Sequence, residues 1–169
     1  MLSLLIVLGV VLVPALAAEP LSLCTVLQRL SEYANKRISV RTHVVLSREG
    51  VFFQDEACME GPKTGDYSWP PLVSWAAPGN RESIPSDYRL NAQSISKFEV
   101  EVNRARSRDV RLEIVATVTG ILRTEANPKF VRTRSGALKP LGFGHLGEFP
   151  AEILIEDISE WVIRDTQKR

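Results

Sequence analysis

Residues 38–47 alternate with a period of two. Ile38, Val40, Val44 and Leu46 fall on one side; Ser39, Arg41, His43 and Ser47 fall on the other. That spacing predicts a strand with one buried face. Arg48-Glu49-Gly50 reads as a tight turn and Val51–Gln54 as the returning strand, so the two form a hairpin. Leu23, Val26, Leu27 and Leu30 recur instead at helical spacing, which predicts a helix over 21–33. Asn35 marks its exit, because Asn tolerates left-handed backbone at a helix end. A short third strand is predicted at 72–76, after Pro70 and Pro71. Residues 94–107 fit both periods; Ser96 with Glu99 makes a capping box and favours helix. The longest alternating run is 110–122, with Val110, Leu112, Ile114, Ala116 and Val118 opposite Arg111, Glu113, Thr117 and Thr119. Gly120 reads as a bulge or bend in it. After a turn at Asn127-Pro128, 129–132 pairs back, and 136–147 is loop. Residues 153–155 and 161–163 form a last strand region, interrupted at Glu156 and Asp157.

Five strands with a helix between the third and fourth is the element order of an OB-fold. The expected class is therefore mainly β (α+β): a five-stranded, OB-like Greek-key barrel with an N-terminal helix.

The first eighteen residues change the picture of where this domain works. They are apolar throughout, carry no charged side chain and end on small residues. Ala15 and Ala17 supply an A-x-A pattern, so a signal peptide over 1–17 and a single domain over 18–169 are expected. The apolar run is short for a membrane span, and Leu23 is bulky for a lipid-attachment site at Cys24. The expected location is secreted or periplasmic, with no membrane span after signal removal. In that setting Cys24 and Cys58, the only cysteines, read as one bridge. A redox pair would sit closer in sequence, and zinc would want more ligands nearby.

A net charge of +1 demands no particular partner. Its distribution is uneven. Nine Lys and Arg lie between Arg104 and Lys139 against Asp109, Glu113 and Glu125, a surplus of 9 − 3 = +6. Five carboxylates and no cation follow between Glu148 and Glu160. A solvated face neutralised by that acidic segment is the plain expectation. Nucleic acid is disfavoured, because Phe130 is the only aromatic among these cations; attraction to anionic lipid or cell-wall polymer is the alternative.

Candidate chemistry is sparse. Gly142-Phe143-Gly144-His145-Leu146-Gly147 holds Phe143 and His145 on a glycine-rich loop, either as a ligand site at the barrel mouth or as a structural plug. The spacing is not that of a dinucleotide loop. His43 sits beside Arg41 on the polar face of the first strand, a second candidate contact. No H-x-H, H-E-x-x-H or G-x-S-x-G pattern occurs, so neither catalytic residues nor metal ligands are assigned and no cofactor is expected. Tyr67, Trp69 and Trp75 flank the two prolines and are expected to cover the barrel rather than stack on ligand.

Leu23-Cys24, the 33–38 segment Tyr-Ala-Asn-Lys-Arg-Ile, Cys58 after the hairpin and the 141–147 loop together resemble uncharacterised secreted bacterial proteins with an OB-fold-like core. The resemblance implies the barrel and brings no activity with it. The expected role is a non-catalytic binding or structural module of the cell envelope or extracellular space. Its partner is unassigned: an envelope component or a protein. A secreted hydrolase, metal-dependent or nuclease-like, is the alternative.

Overall fold

The computed structural model describes residues 19–48, 50–77, 84–107, 112–125, 127–134 and 136–166. The expected leader lies outside them, as do Glu49, most of the 78–85 loop, and Val110 and Arg111 of the expected long strand. In chain order the elements are β1 (Leu21–Ser22), α1 (Leu23–Gln28), α2 (Leu30–Tyr33), β2 (Arg37–Leu46), β3 (Val51–Gln54), β4 (Lys63–Thr64) and β5 (Tyr67–Ser68). They continue with β6 (Leu72–Ala76), α3 (Ala92–Arg106), β7 (Leu112–Thr124), β8 (Phe130–Arg132), β9 (Leu138–Pro140) and β10 (Ala151–Asp165).

The alternating runs become the staves of a barrel. Strands β2, β3, β6, β10 and β7 pair in that order, and β7 returns to β2 to close the ring. The β6–β10 seam is parallel and the other four are antiparallel. A parallel seam needs a long connection, and α3 followed by β7 supplies it. This is the OB-like arrangement the element order implies, with the helix between the third and fourth barrel strands. Inward positions such as Val40, Phe53, Val73, Val118 and Ile153 are fully buried. On the flank, α3 adds Phe98, which stacks toward Trp75 and meets Trp161 edge-on.

The leading helix is shorter and broken. Leu21 and Ser22 pair in parallel with Val40 and Arg41 instead of starting the helix. The Ser22 hydroxyl accepts from the Thr25 N–H and caps α1. Arg29 leaves helical geometry and separates α1 from α2. Leu23, Val26 and Leu27 still point into the barrel as the spacing predicted. Asn35 takes φ +58°, the left-handed exit expected of it.

The capping box at Ser96 and Glu99 is not used. α3 begins two residues before the expected start, capped by the Asn91 side chain, which accepts from the Ser94 N–H. Asn91 wins because tertiary bonds fix it: its N–H donates to the Glu156 carbonyl and its Nδ2 to Asp157.

The last strand is one element, not two. Two bulges carry it through the polar stretch that breaks its alternation. At the first, Ile155 pairs with Gly120 and Asp157 with Thr119, leaving Glu156 as the extra residue. The bulge thus belongs to β10, opposite the glycine that was expected to form it. Gly120 is needed for close approach: a Cβ there would lie 2.4 Å from the Leu154 carbonyl oxygen.

The Glu156 carboxylate is buried and receives a fork from Arg37, Nε at 2.6 Å and Nη2 at 2.9 Å. The Arg89 N–H adds a third bond at 2.6 Å. Tyr88 donates its hydroxyl to the Ile155 carbonyl (2.8 Å). The Arg37 hydrogen bond is the main reason the Glu156 carboxyl is held below the ordinary range; burial opposes it, and the Arg89 N–H and the two cations add to it. The Arg37 guanidinium is held above its usual value by the same bond. The Tyr88 phenol is pushed up, first by burial and then by the Glu156 charge.

Candidate functional site

Alternation places Ser39, Arg41 and His43 on the outer face of β2. His43 is half-buried there and faces carboxylates on both ring edges. Nδ1 lies 3.6 Å from Glu56 and Nε2 lies 3.7 Å from Glu113. Arg164 stands 3.9 Å from the other oxygen of Glu113. His43, Glu56 and Glu113 line an open cleft of about 690 Å³ with Gln54, Arg106 and Thr166. With both nitrogens facing carboxylates, the ring links β2 to β7 and to the segment after β3. No group of three or more His, Cys, Asp and Glu among the described residues is placed to hold a metal. Arg41 is engaged elsewhere, donating to the Thr117 hydroxyl (3.1 Å) and to the Glu160 carbonyl, where it supports the second bulge of β10.

Phe143 and His145 lie in a different place. The 142–149 segment closes on itself: the Gly142 N–H reaches the Gly147 carbonyl, and Phe143 and Phe149 exchange backbone bonds of 2.9 and 3.2 Å. The loop then folds onto the outer face of β3 and β6, stacking Phe149 on Phe52 with centroids 5.7 Å apart. Gly144 sits at φ 68°, ψ −157°, a region essentially reserved for glycine. A Cβ on it would lie 2.4 Å from the Phe149 ring and 2.8 Å from the Ser74 hydroxyl. Gly144→Val is expected to lift the loop and cost about 1–3 kcal/mol; thermal denaturation, with the nuclear Overhauser contact between Phe149 and Phe52, checks it. OB barrels take oligonucleotides and oligosaccharides on the face of their second and third strands. Here the chain's own loop lies on that face, leaving a void of about 150 Å³ beside the exposed His145. The four residues selected from the sequence therefore form no single site: His43 lines one cleft, Arg41 is tied to Thr117 and Glu160, and Phe143 and His145 sit on the 142–149 loop, whose cavity shares no lining residue with the cleft.

The aromatics near the prolines are partly buried, as expected. Trp69 is 6% exposed, bonds the Thr64 hydroxyl through Nε1, and meets Tyr67 edge-on. It also forms part of the wall of a groove of about 530 Å³ between α1, α2 and the β4–β5 ribbon.

No family model, no curated protein and no solved structure matches this chain.

Its surface therefore has to speak through its own chemistry, and one part of it stands apart. Residues 129–132 do not pair back onto β7. They pair with β9 as a separate two-stranded ribbon, within what the sequence reads as loop. All of β8 is exposed. Half of the ten large exposed apolar side chains among the described residues cluster here: Phe130, Val131, Leu138, Leu141 and Leu146. The cations divide. Arg123 pairs with Glu152 at 3.1 Å and Lys139 with Glu148 at 3.6 Å, so the acidic segment neutralises these two as expected. Lys129, Arg132 and Arg134 are in no ion pair among the described residues, and Arg108 and Arg111 lie outside them. Sequence reasoning marked the cations of this stretch but missed the ribbon, because an exposed two-stranded ribbon has no apolar–polar alternation. The available signal was apolar residues interleaved with cations at Phe130-Val131-Arg132 and Leu138-Lys139.

The Cys24 and Cys58 side chains form the expected disulfide, with Cα atoms 5.1 Å apart. No helix among the described residues is long and apolar enough to cross a membrane.

Proposed function

We propose that this chain is an exported, non-catalytic binding module that works in the cell envelope or extracellular space. The observation that carries the reading is the β8–β9 ribbon, whose Phe130, Val131, Arg132 and Leu138 side chains are exposed. Exposed apolar clusters of this kind mark contact surfaces. The apolar leader and the Cys24–Cys58 bridge support the location. A secreted hydrolase is the second reading, favoured by His43 between Glu56 and Glu113 in the His43 cleft.

Intact mass of the expressed protein, denatured without reductant and treated with a thiol-blocking reagent, tests the export part. A mass matching cleavage after Ala17, with no thiol labelled, is expected. A retained leader or two labelled thiols refutes export. For the role itself, Arg132→Glu with Arg134→Glu is expected to release the protein from the envelope fraction, while His43→Gln leaves it there. Retention of the double variant refutes the ribbon as the contact surface. A hydrolytic activity abolished by His43→Gln would establish the second reading.

A further inference from the structure

We infer that the β8–β9 ribbon docks onto an anionic phospholipid bilayer surface. This deepens the binding-module reading and rests on it. The pairing Phe130 with Pro140, Val131 with Lys139 and Arg132 with Leu138 sets the geometry. Phe130, Arg132 and Leu138 share one face of the ribbon; Val131 and Lys139 share the other. Pro140 is buried and anchors the foot to the barrel, whereas Phe130 and Leu138 are 53% and 58% exposed. Leu146, 68% exposed, lies on the Val131 and Lys139 side, where its carbonyl is 3.5 Å from the Lys139 ammonium. Between residues 127 and 148 four cations, Lys129, Arg132, Arg134 and Lys139, face one carboxylate, Glu148, a net +3.

The combination selects the partner. Cations alone would suit any polyanion. Nucleic acid would also ask for stacking rings, and Phe130 is the one aromatic on the ribbon. Leu138 offers nothing to a base, but together with Phe130 on the same face it gains free energy at the boundary between headgroups and acyl chains. Their cationic neighbours then lie at the depth of the anionic headgroups, where each is attracted. A ribbon can dock in this zone without burying its open backbone edges in hydrocarbon, which a deeper insertion would forbid.

The test is co-flotation of the mature, oxidised protein with vesicles of phosphatidylcholine alone or containing about a quarter phosphatidylglycerol. Binding is expected to the anionic vesicles and not to the neutral ones, and to fall at least about tenfold in ~0.5 M salt. Arg132→Glu with Arg134→Glu, and separately Phe130→Ser with Leu138→Ser, are each expected to weaken it about tenfold or more, because an apolar and an electrostatic signal are both needed for stable attachment. Both pairs are solvent-exposed, so thermal melting of each variant should match that of the parent and separates lost docking from lost fold. No binding to anionic vesicles, equal binding to neutral ones, or binding that survives both double variants overturns the proposal. If the ribbon instead binds heparin or an oligonucleotide and ignores vesicles, the lipid assignment falls while the binding-module reading stands.

Discussion

Reduction of the Cys24–Cys58 bridge, or replacement of both cysteines by alanine, is expected to lower the unfolding free energy by about 3–4 kcal/mol. The bridge closes a loop of 34 residues, and the unfolded chain gains that loop's freedom when it opens. For a domain of this size the same loss corresponds to a fall of about 10 °C in melting temperature. The native state has its own stake in the crosslink. α1 is only six residues long, too short to hold helical structure by itself. It keeps its shape because Leu23, Val26 and Leu27 are seated in the barrel at 2% exposure or less. With the bridge open, α1 depends on that seating and on its Ser22 cap, and its amide protons are expected to exchange faster. Urea denaturation with and without reductant measures the global loss, and hydrogen exchange resolved by residue measures the local one. Unchanged stability on reduction would mean that the bridge fastens two segments already fixed by packing.

The barrel was legible because its staves bury one face each. Ile38, Val40 and Val44 of β2 are buried while Ser39, Arg41 and His43 are not, and that contrast is visible as alternation. The short strand β6 lies where its apolar run lies, and Asn35 turns the chain where an Asn can. Legibility ends where position depends on partners far away in sequence. Arg37 and Glu156 are 119 residues apart, and nothing local to either announces the pair. The bulge at Glu156 shifts the phase of β10, so the strand looks interrupted when read by period alone. Asn91 outcompetes the Ser96 box for the same reason: its bonds run to Glu156 and Asp157 on another strand. The site suffers a related blindness. His43 and His145 are conspicuous as residue types, but the structure places them in separate cavities. The ribbon that carries the exposed surface was hidden because neither of its faces is buried.

Glu156→Gln is expected to destabilise the protein by about 2–3 kcal/mol at neutral pH, through loss of a charge-assisted fork at a buried site. The amide can still accept from Arg37 or from the Arg89 N–H, but it presents donors where the carboxylate presented a second acceptor. The pH dependence separates this cause from loosened packing. Glu156 has a carboxyl held below its ordinary value in the folded state, so the unfolded chain takes up the proton first as the solution is acidified. Its contribution is therefore complete above the unfolded value of about 4.3 and is lost as pH falls through the lower folded value. The glutamine variant cannot titrate. The stability gap between parent and variant should be widest above about pH 5 and should narrow steadily below about pH 4. Urea denaturation of both proteins across that range gives the gap directly. A gap that stays constant down to strong acid would show that the substituted amide disturbs the bulge sterically and that the Arg37–Glu156 charge pair contributes little. A gap that closes would identify the pair as a source of acid lability, acting where α3 enters the barrel and β10 bends to meet it.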